Sequence, residues 1–281
     1  EVDTPIRLPV LLPETHIKPF ASEEWFLHTS PEQCMKRLLA QGCDRLFQIC
    51  HCFRKEEKGR LHQSEFTLLE WYHVGWSYRE LMAECEAFVR ELAASVPGLP
   101  GLAGPDLLQR GERSVSLTGP WERLTVKDAF RRYAGMDPAE ALRENTFDEV
   151  LVTMIEPHLG WARPVFLCDY PAELASLARR SADDPTVAER FELYIAGIEL
   201  ANGFSELIDP GEQRQRFAEE LRRSRQAGNV YSAMPERFLA ELGNLGETAG
   251  VALGLDRLLM LLMGCATISE AVTLPHNYLE E

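Results

Sequence analysis

Hydrophobic and polar positions alternate in two neighbouring segments, 47–56 and 65–72, which the polar loop 57–64 separates. Side chains of a strand point alternately to its two faces, so the alternation predicts a β-hairpin. Its apolar face carries Phe47, Ile49, Phe53, Thr67, Leu69 and Trp71. Its other face carries Gln48, Cys50, Cys52, Arg54, Glu56, Phe66, Leu68, Glu70 and Tyr72. The second face combines charged, polar and aromatic groups, which suits a binding surface.

The rest of the chain mixes helical and strand patterns. Apolar residues recur at helical spacing in 78–93, 126–133, 146–156 and 211–227. Residues 164–169 predict a short buried strand, and 249–264 predict a strand followed by an apolar helix. Pro and Gly cluster in 96–113, which predicts a surface connection. Because the strands and helices do not repeat as regular βαβ units, we predict an α+β fold with an antiparallel sheet.

Composition narrows the function class. The chain has 281 residues, 45% of them hydrophobic, and can bury the core of one large domain. Its net charge of −15 repels nucleic-acid backbone, so tRNA is a disfavoured partner. No apolar run reaches the ~18 residues of a membrane span, and no signal-peptide pattern opens the chain. Seven irregularly spaced cysteines are typical of reduced thiols, so we expect a soluble cytoplasmic protein without membrane contact.

The polar face of the hairpin has the chemistry of a nucleotide site. Arg54 suits bidentate binding of a phosphate, Glu56 suits an exocyclic amine, and Phe66 suits stacking on a flat base. The same residue types also suit a solvated hairpin with cross-strand ion pairs. Only the order and spacing of the residues distinguish the two interpretations.

That order resembles motif 2 of the class II aminoacyl-tRNA synthetases, in "FRKEE" and "HQSEFTLLEWY". Residues 250–261, "GVALGLDRLLML", look like motif 3, and residues 1–5, "EVDTP", look like the end of the dimer-forming motif 1. Residues 29–39 and 189–217 are similar to the lysyl group of these enzymes. The resemblance implies a class II catalytic domain over residues 1–281, an antiparallel sheet flanked by helices, and a homodimer.

Within this group, the chain resembles the lysine ligases of elongation factor P, a family of truncated lysyl-tRNA synthetase paralogs. We expect no anticodon-binding region, because none stands before the catalytic motifs in this sequence. Ser30 stands where the synthetases usually have alanine, and Ala252 where they usually have glycine. The resemblance implies ATP-dependent activation of lysine or (R)-β-lysine as an adenylate, and transfer to a lysine side chain of elongation factor P.

The resemblance also implies a nucleotide site. Arg54 and Arg257 would be the catalytic residues: Arg54 would contact the α-phosphate and the substrate carboxylate, while Phe66 and Arg257 would sandwich adenine. Glu192 and Glu199 would hold Mg²⁺, although residue types alone also fit unrelated surface acids. These two acids differ in strand parity, so the metal role requires a turn or bulge at Ala196–Gly197. The remaining ATP-binding positions would be Lys55, Glu56, His62, Gln63, Leu200 and Gly254.

The amino-acid site implied by the resemblance is rich in acids, as a doubly cationic substrate requires. Glu32 would bind the α- or β-amine, and Glu206, Tyr72 and Glu70 would bind the ε-ammonium. Asn202 would bind the carboxylate, and Ser30 and Pro31 would shape the wall. A pocket rich in glutamate is costly unless a cation fills it. The loop departs from the family at Gln63–Ser64, where Asn-Pro is more usual.

Two further interpretations compete with the ligase. A lysyl-tRNA synthetase core that charges tRNA would share most of these motifs, and so would a non-catalytic paralog that senses lysine. Cys50-His51-Cys52, with Cys34, Cys43 and His62 nearby in sequence, also invites a zinc interpretation. The cysteines lack a second metal-binding pair at the usual spacing, so the sequence favours free thiols.

Overall fold

The computed structural model describes residues 1–228, 233–275 and 278. Its strands are β1 Arg7–Leu8, β2 Ala21–Ser22, β3 Trp25–Leu27, β4 Arg45–Phe53, β5 Glu65–Val74, β6 Leu102–Gly104, β7 Leu107–Arg110, β8 Arg113–Ser116, β9 Glu122–Thr125, β10 Val165–Pro171, β11 Val187–Ile195, β12 Ile198–Ser205 and β13 Thr248–Gly254. Its α-helices are α1 Glu32–Leu39, α2 Tyr78–Ser95, α3 Val126–Ala129, α4 Pro138–Arg143, α5 Phe147–Val150, α6 Pro210–Gln226, α7 Glu236–Leu242 and α8 Leu255–Leu262. No helix among the described residues is long and apolar enough to cross a membrane.

A seven-stranded sheet forms the centre of the molecule, in the order β4-β5-β13-β12-β11-β10-β9. Only its last pair, β10 with β9, is parallel. The hairpin predicted from the alternating pattern is β4 and β5, which pair over their whole length from Arg45–His73 to Phe53–Glu65. The predicted α+β fold with an antiparallel sheet flanked by helices is confirmed.

Helices cover most of one face of this sheet, although Phe47 and Ile49 of the edge strand β4 stay exposed there, and they leave part of the other face open. On the covered face, α2 and α8 pack against Trp71, Val251 and Leu253, all of which are buried. Helix α2 begins at a capping box in which Ser77 and Glu80 satisfy each other's backbone amides. On the other face, α1, α6 and α7 pack around Tyr72 at one end of the sheet. The open part of that second face is a cavity.

Two local predictions differ from the structure. Residues 96–113 contain more than a surface connection, because β6, β7 and β8 form a separate three-stranded sheet. Leu108 and Val115 of this sheet are buried in the main core, and the Gly101 amide donates to the Leu262 carbonyl of α8. The helices predicted at 126–133 and 146–156 are α3 and α5, each continued by a π-helical turn, at Phe130–Ala134 and Leu151–Ile155.

Candidate active site

The floor of the cavity is a row of side chains in register across the sheet. Glu70 of β5 pairs with Ala252 of β13, Ala252 pairs with Asn202 of β12, and Asn202 pairs with Glu192 of β11. Directly paired residues of neighbouring strands point to the same face. Four strands from three separate parts of the sequence therefore bring two carboxylates and an amide onto one surface.

The cavity above this row has a volume of about 810 Å³. Its wall includes residues predicted for the nucleotide site and residues predicted for the amino-acid site. The predicted residues on its wall are Ser30, Glu32, Arg54, His62, Gln63, Phe66, Glu70, Tyr72, Glu192, Glu199, Leu200, Asn202, Gly254 and Arg257. Pro31, Lys55, Glu56 and Glu206 are absent from its wall.

Among the acidic residues of the cavity, Glu70 is buried, and each of its two carboxylate oxygens accepts a hydrogen bond. Ser30 Oγ donates to Glu70 Oε1 at 2.6 Å, and the Tyr72 hydroxyl donates to Glu70 Oε2 at 3.1 Å. Burial, together with the nearby Glu32 carboxylate, raises the pKa of Glu70 to about 8. This carboxyl is therefore protonated at neutral pH until a positive charge arrives beside it.

Lys36, which sequence reasoning missed, supplies an internal cation beside Glu32 and Glu206. Its ammonium is buried, lies 2.5 Å from Glu32 Oε1 and forms a second ion pair with Glu206 Oε2. Burial lowers the pKa of Lys36, but the charges of Glu206 and Glu32 outweigh burial and raise it. Glu206 thus faces Lys36, which explains its absence from the cavity wall. The available signal was its position four residues after Glu32 on α1, beside the buried Met35.

Arg54, which also lines the cavity, is held by neighbours on several sides. Its guanidinium lies 5.0 Å from the centre of the Phe66 ring, Nε donates to the Thr29 carbonyl at 3.3 Å, and Nη1 pairs with Glu57 at 3.2 Å. Glu14 also lies in this wall, and burial raises its pKa to about 7 against the opposing charge of Arg54. The guanidinium is therefore positioned by protein contacts before any substrate enters.

Arg257, at the start of α8, lines the same cavity as Arg54. It donates to the Leu61 carbonyl at 3.1 Å and to the Glu199 carbonyl at 2.8 Å, and pairs with Glu199 Oε2 at 3.3 Å. Burial and the positive charges of Arg257 and Arg54 lower the pKa of His62. The cavity around His62 is consequently suited to an anion.

Glu192 and Glu199 reach the cavity from the two strands of one hairpin. The turn predicted at Ala196–Gly197 is present, with positive φ values of 54° and 74°, and the pairing shifts register after Leu193. Both carboxylates line the cavity. Burial and the charge of Glu192 raise the pKa of Glu199 to about 7. A buried carboxylate at Glu192 and a half-buried one at Glu199, which repel each other, are a donor set suited to a hard divalent cation.

Sequence comparison agrees with this geometry. Residues 1–278 match the profile of a family described as tRNA synthetases class II (D, K and N). The chain belongs to this class II synthetase family.

Named relatives cover almost the whole chain. A protein of Salmonella dublin named elongation factor P–(R)-β-lysine ligase is 37% identical over 305 aligned residues, which cover 97% of this chain and 87% of the relative. A protein of the same name from Proteus mirabilis strain HI4320 is 37% identical over 286 residues, covering 98% of this chain and 88% of the relative. The family resemblance predicted from the motifs is confirmed.

In class II synthetase terms, motif 2 is the β4–β5 hairpin and motif 3 is β13 with α8. Two motif 2 residues lie away from the cavity. Glu56 is largely exposed and its carboxylate pairs with Lys18 at 2.7 Å, and Lys55 bonds through its backbone amide to the Lys18 carbonyl. Pro31 precedes the first turn of α1. The roles predicted for the site residues stay predictions.

Arg190 is another cavity residue that sequence reasoning missed. It is half-buried against the Tyr170 ring, 4.4 Å from the ring centre, and it donates to Glu192 Oε1 at 2.6 Å and to Asn202 Oδ1 at 3.3 Å. The signal was its alternation with Glu192 and Tyr194 on β11, which places all three on the cavity side. Arg190 therefore orients Glu192 and Asn202 in the row of side chains that forms the cavity floor.

Proposed function

We propose that this protein is an ATP-dependent ligase that activates a lysine-type amino acid as its adenylate and transfers it to a lysine side chain of elongation factor P. One observation carries the proposal: the wall of a single cavity carries both the guanidinium groups of Arg54 and Arg257 and the carboxyl groups of Glu32 and Glu70. ATP and an amino acid with two amines match these two kinds of group. The names of the relatives support the acceptor and the (R)-β-lysine substrate.

In the first step, the carboxylate of the amino acid attacks the α-phosphorus of ATP, and pyrophosphate leaves. Arg54 neutralises the charge that develops on the α-phosphate, and its contacts with Glu57 and Thr29 hold it in position beforehand. Arg257 and Phe66 hold the adenine between them. The protein contributes orientation and fixed charge to this step, so the reaction needs no covalent enzyme intermediate.

A divalent cation fits beside the triphosphate. Glu192 and Glu199 would hold Mg²⁺, which would neutralise phosphate oxygens and favour departure of pyrophosphate. The raised pKa of Glu199, caused by burial and by Glu192, supports a cation at this position. Arg190 keeps Glu192 oriented toward the cavity.

The acidic residues of the cavity select the amino acid by charge. Glu70, with Tyr72 and Ser30 as hydrogen-bond donors, receives one ammonium group, and Glu32 receives the other. Arrival of the ammonium lowers the pKa of Glu70 and drives its proton into solvent. Ser30 and Ala252 border Glu70 directly, so they set the shape of the pocket around the amine.

In the second step, a neutral lysine ε-amine of the acceptor attacks the carbonyl carbon of the adenylate. The new C–N bond forms, the bond to the phosphate oxygen breaks, AMP leaves, and the amine gives its proton to solvent. The product is an amide. The cavity contributes to this step by excluding competing water from the mixed anhydride.

Two measurements test this proposal. Purified protein with ATP and Mg²⁺ should catalyse pyrophosphate exchange that depends on lysine or (R)-β-lysine. Intact-mass analysis should then show that elongation factor P gains one lysyl group. If neither amino acid supports exchange, the proposed enzymatic activity is excluded. If the protein charges tRNA-Lys and leaves elongation factor P unmodified, it is a lysyl-tRNA synthetase and not the proposed ligase. ATP binding without exchange would favour a lysine sensor.

A further inference from the structure

Two cysteines and a histidine form a cluster beside the cavity that the proposed reaction does not use. Cys50 and Cys52 lie on β4, and His28 directly follows β3. His28 and Cys52 are fully buried, and Cys50 is half-buried. The sequence pointed to Cys50, His51 and Cys52, with Cys34, Cys43 and His62 nearby, and not to His28, because His28 comes from the segment after β3, which folding brings alongside β4.

The backbone holds the two thiols on the same side of β4. Cys50 pairs with Leu68 and Cys52 pairs with Phe66 across the β4–β5 ladder, so neither residue can rotate to the other face without breaking the sheet. The Phe53 amide donates to the His28 carbonyl at 3.0 Å and fixes the histidine against the same strand. The cluster is therefore rigidly assembled by main-chain contacts.

The distances within the cluster match those of a metal site. The two sulfur atoms are 3.9 Å apart, Cys52 Sγ lies 3.9 Å from His28 Nε2, and one ligand atom of each residue lies within 4.8 Å of the others. A tetrahedral Zn²⁺ with Zn–S of about 2.3 Å and Zn–N of about 2.0 Å holds its ligand atoms about 3.5–3.8 Å apart. Closing the site around an ion would require these separations to shorten by a few tenths of an ångström to about 1.3 Å.

The two ring nitrogens of His28 differ in their hydrogen-bond contacts. His28 Nε2 lies 2.7 Å from the His51 carbonyl oxygen, and among the described residues the buried Nδ1 has no hydrogen-bond partner. A buried polar atom without a partner is costly. Nε2 is the ring nitrogen beside Cys52 Sγ, so a metal ion at this position would replace the contact of Nε2 with the His51 carbonyl, and Nδ1 would carry the ring proton.

A disulfide explains the cluster less well than a metal. Residues two apart on a strand have Cα atoms about 6.6 Å apart, near the upper limit for a disulfide. Joining the sulfurs would require β4 to buckle between Cys50 and Cys52, where its pairing with β5 is continuous. A metal ion bridges the same sulfurs with little change in the backbone.

We propose that His28, Cys50 and Cys52 form a site for a thiophilic metal ion of the Zn²⁺ type, with water as the fourth ligand. Ser30 lies two residues after His28, and Arg54 lies two residues after Cys52. The ion ties the segment that carries Ser30 to the strand that leads into Arg54. It therefore stabilises the wall of the cavity and is separate from the Mg²⁺ position at Glu192 and Glu199.

Titration with Co²⁺ tests the site without any substrate. Protein purified under reducing conditions and stripped with chelator should bind about one Co²⁺ per chain, with thiolate charge-transfer absorption and tetrahedral d–d bands. Zn²⁺ should displace the cobalt and raise the melting temperature. Cys50→Ser, Cys52→Ser and His28→Gln should each weaken binding about 100-fold or more.

Matched variants make the result decisive. Cys43→Ser changes an exposed thiol outside the cluster and should leave the cobalt spectrum intact. Glu199→Gln should also leave it intact, which separates this site from the carboxylate site. If the buried Cys52→Ser variant fails to fold by circular dichroism, the half-buried Cys50→Ser carries the test. Absence of thiolate absorption in the wild type would overturn the proposal, and so would its persistence in Cys50→Ser or Cys52→Ser. Neither result would bear on the proposed ligase activity.

Discussion

Lys36 places a fixed positive charge among carboxylates to which the sequence assigns substrate ammonium groups. It holds Glu206 and one side of Glu32 and leaves Glu70 facing the cavity. An ion pair buried this deeply is expensive to break, because removal of one partner leaves the other charge uncompensated. Lys36 thus reduces the net negative charge that Glu32 and Glu206 contribute near the bound substrate.

Replacement of this lysine tests that role. Lys36→Met should lower the free energy of unfolding by about 3–5 kcal/mol, measured by chemical denaturation at pH 7.5. The adjacent Arg37→Met, which breaks a partly exposed pair with Glu241, should cost about 1 kcal/mol or less. Adding Glu206→Gln to Lys36→Met should restore part of the loss. Equal effects of the two single variants would contradict a special role for Lys36.

Glu70 makes stability depend on pH. Its pKa rises from 4.5 to about 8 on folding, so the folded protein binds this proton more tightly than the unfolded chain. Its contribution is therefore greatest below pH 4.5 and is lost as the pH rises toward 8. We expect the stability difference between wild type and Glu70→Gln to change across this window by up to about 1.4 kcal/mol per pH unit. Parallel stability profiles of the two proteins from pH 5 to 8 would show that Glu70 does not titrate there.

At the scale of elements, β13 approaches β5 so closely that a glycine is required. A Cβ on Gly250 would lie 2.2 Å from Tyr72 Cε1 and 2.7 Å from Glu206 Oε1. Gly250→Ala should displace Tyr72, lower the free energy of unfolding by about 1–3 kcal/mol and weaken lysine binding. Gly246→Ala, where the nearest atom is 3.7 Å away, is the control for stability and for calorimetric binding of lysine. An unchanged affinity in Gly250→Ala would remove Tyr72 from the lysine site.

The spacing of hydrophobic and polar residues predicted the helices and strands in which that spacing is most regular. The hairpin, α2 and the β13–α8 unit were recognised because each has a clear apolar face or a glycine-spaced strand. The sheet of β6–β8 was missed because its strands are only three or four residues long and lie among Pro and Gly. Lys36, Arg190 and Glu14 were missed because a charged residue ordinarily indicates solvent. Their burial depends on partners from other elements, which periodicity does not report.

At the scale of the whole molecule, the cavity connects elements from both halves of the chain. Motif resemblance predicted 14 of the residues that line it, and the fold places those residues together. Lys55 and Glu56 lie off the wall because the segment after β4 turns outward and Glu56 pairs with Lys18. Resemblance identifies residue types, whereas the direction of a loop depends on contacts such as this ion pair.

The cavity arginines Arg54 and Arg257 predict a specific response to nucleotide. ATP with Mg²⁺ should raise the melting temperature of the wild type, while Arg54→Met and Arg257→Met should each remove most of that shift, because each loses a phosphate or purine contact. Arg222→Met, which alters an exposed arginine on α6, should retain the full shift. Thermal denaturation with and without nucleotide measures all four proteins. A full shift in either cavity variant would exclude that arginine from the nucleotide site.

The aligned row of Glu70, Ala252, Asn202 and Glu192 makes the protein unequally tolerant of length changes. One extra residue inside β13 would reverse which of its side chains point inward beyond the insertion, and would present Val251 or Leu253 in place of Ala252. One extra residue at Lys58–Gly59, in the exposed loop between β4 and β5, changes no strand partner. Natural variation in chain length should therefore accumulate in such connections, while the strands that form the floor keep a constant residue count.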